Sequence, residues 1–324
     1  MTAWNDSAGG KRALTTVLRS RPFLTVAIVA AVWIVASFVS RGFGAYGHLR
    51  YLVELGAVIG LVAAGQTFVV IAGGIDLSVA AIVTVSAVSL PLLSWLVDPT
   101  GITAILAVLV LTTAIGLVNG LGVALLRVHP MIMTLAMATF LQGLLIIIAG
   151  GSAVTAENPL VHWLGNGRPA GIPAGVLLWV VVSAIVLTTM HATSLGARIF
   201  AMGANPLAAA LSGVPVTSTT LAVYGISGFC SGLAGVLVLG MNGQGYVGIG
   251  DPYLLASIAA VVLGGTSILG GLGTYAGTIP GAILLVTITA LITVVNASPG
   301  WRSILFGSLI LGLLLLSGRE QARR

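Results

Sequence analysis

Four uncharged polar side chains interrupt long apolar stretches of this chain and are its first candidates for chemistry: Gln66, Thr67, Asn119 and Gln142. Amide and hydroxyl groups can hydrogen-bond a hydroxylated solute without the cost of burying a charge. The same groups can instead join neighbouring helices by hydrogen bonds inside a membrane. We therefore predict a substrate pathway along these four residues, with interhelical hydrogen bonding as the alternative role of each.

Residue types that support catalysis or bind metals are scarce. Lys11 is the only lysine and no Gly-Lys-Ser/Thr tripeptide occurs, so the chain is not a P-loop ATPase. Cys230 is the only cysteine and the four histidines are far apart in sequence, so neither a disulfide nor a metal site is expected. The apolar stretches hold almost no carboxylates, which disfavours an ion-coupled carrier and an intramembrane protease. We expect no catalytic residue, cofactor or metal.

The elements that position the polar residues follow from composition, since 58% of the 324 residues are hydrophobic and 6% are charged. Soluble proteins carry roughly 25% charged residues, so lipid must form much of this chain's solvent. A membrane-spanning helix needs roughly 20 apolar residues, and about ten such stretches are present. They are residues 22–40, 52–72, 77–97, 102–126, 131–149, 174–190, 217–241, 254–269, 274–295 and 303–317. The net charge of +6 is scattered and indicates no nucleic-acid partner.

Lysines and arginines in the short loops indicate orientation, because they accumulate on the cytoplasmic side of a membrane. With both termini inside, four of the 13 lie outside and the other nine inside; the four are Arg41, Arg50, Arg168 and Arg302. We predict a cytoplasmic tail at 1–21, one transmembrane domain at 22–317 and a cytoplasmic tail at 318–324. A cleaved signal peptide is the less favoured alternative, because its apolar run of about 19 residues is long and more spans follow.

Two aspartates open apolar stretches in a similar way and indicate a weak internal repeat. Asp76 precedes the third span and Asp251 precedes the eighth. Spans two to five start outside and spans seven to ten start inside, which is typical of an inverted-topology repeat. Each carboxylate stands where it would cap the following helix and complement the helix dipole. We predict helix caps at both aspartates.

The inside loop at 191–216 has the composition of a short amphipathic helix, with apolar Ile199 and Phe200 near its centre. Asn205 can cap a second helical turn that has Pro206 at its first position, and Gly203 permits close approach of another backbone. A cytoplasmic segment too short and too polar to span the membrane suggests a contact site for a soluble partner.

Four short motifs, in the right order, carry a resemblance to a known family. They are Ile71-Ala-Gly-Gly-Ile-Asp-Leu-Ser-Val79, Gly116-Leu-Val-Asn-Gly120 followed by Pro130-Met-Ile-Met-Thr-Leu135, Gly203-Ala-Asn-Pro with Ser212-Gly213, and Ala256-Ser-Ile-Ala-Ala-Val-Val-Leu-Gly-Gly-Thr-Ser-Ile-Leu-Gly-Gly271. The chain resembles the permease subunits of ribose-type ABC importers from about residue 52 to 315. Ala80 is a departure, since the family pattern has glycine there.

The resemblance implies the fold of the larger ABC importer permeases, with ten helices per subunit and two subunits, here a homodimer, around the pathway. It implies a monosaccharide as substrate, a sugar-binding protein outside the bacterial cytoplasmic membrane and a separate ATPase subunit inside. The ATPase would contact the 191–216 loop, and the residues assigned to this coupling are Gly196, Arg198, Gly203, Asn205 and Pro206.

Two other functions stay open on the sequence. A branched-chain amino-acid permease belongs to the same wider superfamily, but a zwitterionic substrate favours charged or helix-end partners, and the pathway predicted here is neutral. A secondary carrier that works alone would transport without any ATPase. Both are alternatives to the monosaccharide importer.

Overall fold

The computed structural model describes residues 21–321 except 41, 98–100, 156–157, 296–297 and 299. The predicted N-terminal tail, apart from Arg21, and residues 322–324 of the predicted C-terminal tail lie outside the described residues. The helices are α1 (Arg21–Val39), α2 (Tyr46–Ile71), α3 (Val79–Val97), α4 (Ile102–Ala124), α5 (Pro130–Ala149), α6 (Pro159–Asn166), α7 (Ala174–Ala192), α8 (Ser194–Ala204), α9 (Pro206–Leu211), α10 (Val216–Asn242), α11 (Pro252–Leu263), α12 (Tyr275–Val294) and α13 (Gly300–Gln321).

Each predicted span coincides with a helix. By length and composition, six of the described helices can cross a membrane: α2, α4, α5, α7, α10 and α12. Shorter apolar helices occupy Phe23–Phe38, Val79–Ser94 and Pro252–Leu263. The all-α membrane architecture is therefore confirmed, and a count of ten crossings remains a prediction. Outside the helices, Val154–Thr155 (β1) and Gln244–Gly245 (β2) form one short antiparallel pair.

Helices α2 and α10 form the centre of the molecule. Every residue of α2 from Gly56 to Ile71 is buried, and so are most residues of α10 from Val223 to Gly240. By contrast α5 exposes large apolar side chains such as Phe140 and Ile147. Lipid does not drive apolar helices together, so close packing of small residues must contribute much of the association. Gly116 of α4 and Gly228 of α10 supply such a contact, since an added Cβ at either would overlap the opposite helix's backbone.

The helix contacts recur in two sets. Helix α10 packs against α3 and α4, and α2 packs in the same way against α11 and α12. Helix α3 contacts α4 and α5, just as α11 contacts α12 and α13. The contacts of α2–α5 thus correspond to those of α10–α13, which are the predicted spans two to five and seven to ten.

Two helices end where the sequence places paired glycines. At the end of α2, Gly73 has φ +87°; its N–H donates to the Val70 carbonyl (3.0 Å), and the Gly74 N–H donates to that of Val69 (2.9 Å). This pattern is the Schellman motif, in which a left-handed glycine terminates the helix. Gly265, with φ +88°, ends α11 in the same manner. The predicted span at 254–269 was too long, because glycine terminates the helix at Leu263.

Candidate functional site

The short segment between α2 and α3, residues 72–78, holds a buried carboxylate. Asp76 is fully buried, and its Oδ1 accepts hydrogen bonds from the Ser78 N–H (2.9 Å) and the Ser78 hydroxyl (2.6 Å). Its Oδ2 accepts from the Ser227 hydroxyl of α10 at 2.7 Å. The Asp76 carboxylate thus closes a local turn onto Ser78, directly before α3 begins at Val79, and it also bonds a distant helix.

Amide and hydroxyl groups from three other helices hold the same segment. The Asn119 Nδ2 of α4 donates to the Ser78 hydroxyl at 2.9 Å. In the amide orientation that matches donors to acceptors, Gln66 of α2 donates to the Asp76 carbonyl (3.2 Å) and accepts from the Asp76 N–H (3.3 Å). Thr134 of α5 accepts from the Leu77 N–H at 3.0 Å. We call residues 72–78 with these partners the Asp76 network.

The electrostatics of the network are set by burial. Removal from water raises the pKa of the Asp76 carboxyl, and the hydrogen bonds from Ser78 and Ser227 oppose this rise. Two further polar atoms, Asn119 Oδ1 and the Tyr224 hydroxyl, are buried without a hydrogen-bond partner among the described residues. Buried polar groups are ordinarily paired, so these two atoms are the places where the network can accept another polar group.

The four predicted pathway residues do not form one surface. Gln66, Thr67 and Asn119 are all fully buried. Thr67 donates to the Ala63 carbonyl at 2.6 Å and pairs with Thr278 of α12 at 3.2 Å. Gln142 instead lies on the exposed side of α5 and is separate from the other three. In this conformation Thr67 makes an interhelical hydrogen bond, which is the alternative role left open for it, whereas Gln66 and Asn119 bond the 72–78 segment between two helices.

The five predicted coupling residues divide between two faces of the α8–α9 segment. Arg198, Asn205 and Pro206 are exposed. The Asn205 Oδ1 accepts from the N–H groups of residues 207 (3.1 Å) and 208 (3.0 Å), so it caps α9 as predicted from Pro206 at the first helical position. Gly196 faces inward, where an added Cβ would overlap the Met190 carbonyl.

Gly203 also faces inward, and it packs against the end of α2. An added Cβ at Gly203 would overlap the carbonyl of Ile71, the last residue of α2. The Gly271 N–H donates to that same carbonyl at 2.9 Å. The close backbone approach predicted for glycine is present, but the approaching backbone belongs to this chain.

Asp251 holds the N-cap position of α11, but its side chain makes no capping hydrogen bond. The residue is exposed, and partial desolvation raises the pKa of its carboxyl. In the part of the chain that the structure describes, no group of three or more His, Cys, Asp or Glu residues could hold a metal ion.

Sequence reasoning missed Ser78, Thr134, Ser227 and Tyr224. Only Ser78 had a local signal, because a serine two residues after an aspartate is typical of a turn closed by the carboxylate. Ser227 lies 151 positions from Asp76, and neither residue type nor spacing relates the two.

Comparison with known proteins identifies the family. Residues 49–314 match the family described as the branched-chain amino acid transport system/permease component. The chain is 32% identical to the ribose import permease protein of Escherichia coli K12, over 98% of this chain and 99% of the relative. It is 33% identical to the ribose import permease protein of Bacillus subtilis (93% of each chain). It is 30% identical to the L-arabinose transport system permease protein of Escherichia coli K12 (91% of this chain, 89% of the relative).

No solved structure matches the chain. The family match covers α2 from residue 49 onward and all of α3 to α12, including the Asp76 network and the α8–α9 segment. A permease component is a transport subunit and not an enzyme, in agreement with the absence of catalytic constellations in the sequence. The chain belongs to the branched-chain amino acid transport system/permease component family of membrane permeases.

Proposed function

We propose that the chain is the permease subunit of an ATP-driven importer that carries a monosaccharide across the bacterial cytoplasmic membrane. The observation that carries the proposal is the near full-length similarity to permeases named for ribose and arabinose. The fully buried polar side chains Gln66, Thr67 and Asn119 of α2 and α4 are uncharged, as suits a hydroxylated solute. The family description mentions amino acids, and a branched-chain amino acid is the alternative substrate.

The proposed membrane arrangement has ten crossings, both termini in the cytoplasm, and one transmembrane domain over residues 22–317 between two short tails. The two sets of recurring helix contacts support an inverted repeat of α2–α5 and α10–α13. Such repeats are common in transporters and place the solute pathway between the two halves. In this arrangement the α8–α9 segment and the 72–78 segment both face the cytoplasmic side.

The ATPase subunit is proposed to bind the outward face of the α8–α9 segment. Beside Arg198, Asn205 and Pro206, this face exposes Leu207 (71%) and Leu211 (82%). The exposed leucines of α9 and the exposed cation of α8 offer an apolar anchor and a polar rim, which is the usual composition of a protein interface. On the opposite face of the segment, Gly196 and Gly203 permit close backbone packing against the rest of the chain.

A second copy of the permease is proposed to cover the exposed apolar side of α5, which carries Gln142. In that homodimer, Gln142 would face the space between the subunits. Gln66, Thr67 and Asn119 would contact solute only in a conformation in which the Asp76 network has opened. A sugar-binding protein is proposed to deliver substrate on the opposite, external side, where the 150–172 loop lies.

Reconstitution in proteoliposomes tests the proposal. With the cognate ATPase subunit and binding protein, we expect ATP-dependent uptake of a labelled pentose or hexose. Leu207→Glu should weaken ATPase binding about tenfold, because it places a charge in the apolar centre of the interface. Thr217→Glu, an exposed change in the first turn of α10, is the matched control and should bind normally.

Three outcomes would contradict parts of this proposal. Uptake of leucine instead of sugars would assign the amino-acid function. Uptake without any ATPase subunit would make the chain a secondary carrier. Equal ATPase binding by Leu207→Glu and Thr217→Glu would place the coupling surface elsewhere.

A further inference from the structure

The 72–78 segment lies at the junction between the α8–α9 segment and the helix core. Gly203 of α8 packs directly on the carbonyl of Ile71, and the Gly271 N–H donates to that carbonyl at 2.9 Å. No side chain lies between these backbones. Because packed protein interiors are dense and poorly compressible, a displacement of α8 must displace the end of α2.

The end of α2 is stiff in turn. The Schellman motif at Gly73 fixes residues 72–74 to the last turn of α2 through the bonds from Gly73 and Gly74 to the Val70 and Val69 carbonyls. When Ile71 is displaced, the residues that follow it, up to Asp76, therefore move with it.

Asp76 connects this stiff segment to two further helices. Its Oδ2 accepts from Ser227 of α10 at 2.7 Å. Its Oδ1 accepts from the Ser78 hydroxyl (2.6 Å), which itself accepts from Asn119 of α4 (2.9 Å). Helices α4 and α10 also contact each other closely through Gly116 and Gly228. One carboxylate thus joins the segment beneath α8 to both α4 and α10.

We propose that Asp76 is a positioning residue that transmits movement of the α8–α9 segment to α4 and α10. The inference rests on the proposed function, because it concerns how ATP hydrolysis is linked to transport. When the bonds of the Asp76 carboxylate are removed, α8 moves without α4 and α10. ATP is then hydrolysed without a matching movement of sugar.

Two variants remove the bonds, and one residue supplies a matched control. Asp76→Ala removes both acceptor oxygens and with them the bonds from Ser78 and Ser227. Ser227→Ala removes only the bond to Oδ2. Ser231→Ala is the control: Ser231 lies one turn further along α10, is equally buried, and its hydroxyl has no hydrogen-bond partner among the described residues.

The test measures sugar transported per ATP hydrolysed in proteoliposomes with the ATPase subunit and loaded binding protein. We expect this ratio to fall about tenfold in Asp76→Ala, which loses three hydrogen bonds to a charged group. It should fall by a smaller factor in Ser227→Ala, which loses one of them. Ser231→Ala should keep the wild-type ratio.

A purely structural role for Asp76 predicts a different result. Loss of folded complex lowers uptake and ATP hydrolysis together and leaves their ratio unchanged. That outcome in Ser227→Ala would overturn the inference even if Asp76→Ala fails to fold. An equal fall of the ratio in Ser231→Ala would overturn it as well. Wild-type protein that shows no ATP-driven uptake would instead refute the proposed function itself.

Discussion

The two aspartate loops, 72–78 and 243–251, occupy corresponding places after the two central helices but have different surroundings. Asp76 is buried and accepts hydrogen bonds from Ser78 and Ser227, whereas Asp251 is exposed and caps nothing. The second loop is held instead by close backbone packing, since Gly250 lies against the Ala80 carbonyl of α3. A similar position in a repeat therefore does not give an aspartate a similar role; the helices that pack around it decide.

The largest expected effect comes from replacing the two aspartates by leucine. Asp76→Leu leaves the Ser78 N–H, the Ser78 hydroxyl and the Ser227 hydroxyl without their acceptor in a buried site. Unpaired buried donors cost about 1–3 kcal/mol each, so the melting temperature in detergent should fall by many degrees. Asp251→Leu, at an exposed site, should change stability by no more than about 0.5 kcal/mol. Equal losses of stability in Asp76→Leu and Asp251→Leu would contradict the conclusion that only the first aspartate holds its loop in place.

Replacing one glycine in each loop by alanine should cause an intermediate loss of stability. Here the 243–251 loop should lose more than the 72–78 loop, the reverse of the order expected for the aspartates. Gly250→Ala drives a methyl group into the Ala80 carbonyl, which is backbone and cannot turn aside, so we expect a loss of about 1–3 kcal/mol. Gly74→Ala meets the far end of the Tyr224 side chain at 2.7 Å, which can shift, so the loss should be smaller. Thermal unfolding followed by tryptophan fluorescence measures both, and a larger loss in Gly74→Ala would contradict the assignment of backbone packing to the second loop.

The smallest expected loss of stability concerns a hydrogen bond that both loops make. In each, a threonine hydroxyl of a neighbouring helix accepts a backbone N–H: Thr134 from Leu77 (3.0 Å) and Thr84 from Gly250 (3.1 Å). Replacing either threonine by valine keeps the shape and removes one acceptor, so each variant should lose about 1 kcal/mol. Denaturant unfolding of both variants is the measurement, and a difference of about 1 kcal/mol or more between them would show that the two bonds are not equivalent.

The helices were predictable because lipid imposes a simple rule on sequence: long apolar runs with few charges. All ten predicted stretches coincide with helices, and the glycines at 73 and 265 determine where α2 and α11 end. The error at the end of the eighth span arose because residues 264–269 are apolar enough to continue a helix, although Gly265 adopts a left-handed conformation.

The candidate site was predictable only in part. Gln66 and Asn119 stood out because amides are rare in apolar runs, but their hydrogen-bond partners lie on the 72–78 segment and could not be read from spacing. Ser227 gave no signal among the other small residues of α10. Gly203 was correctly identified as a point of close approach, yet the sequence could not say whether the approaching backbone is a partner's or the chain's own. Tertiary packing supplies that answer.

The contact between Gly203, Ile71 and Gly271 is made by backbone atoms, which all sequences have in common. The inward face of the α8–α9 segment also buries Ile199 and Met202, while the outward face exposes Leu207 and Leu211. The segment is a natural unit for exchange. A chimera that takes the α8–α9 segment of a related permease, and keeps Ile199, Met202 and the glycines at 196, 203, 270 and 271, should dock it unchanged. Such grafts would allow the choice of ATPase subunit to be reassigned without redesigning the helix core.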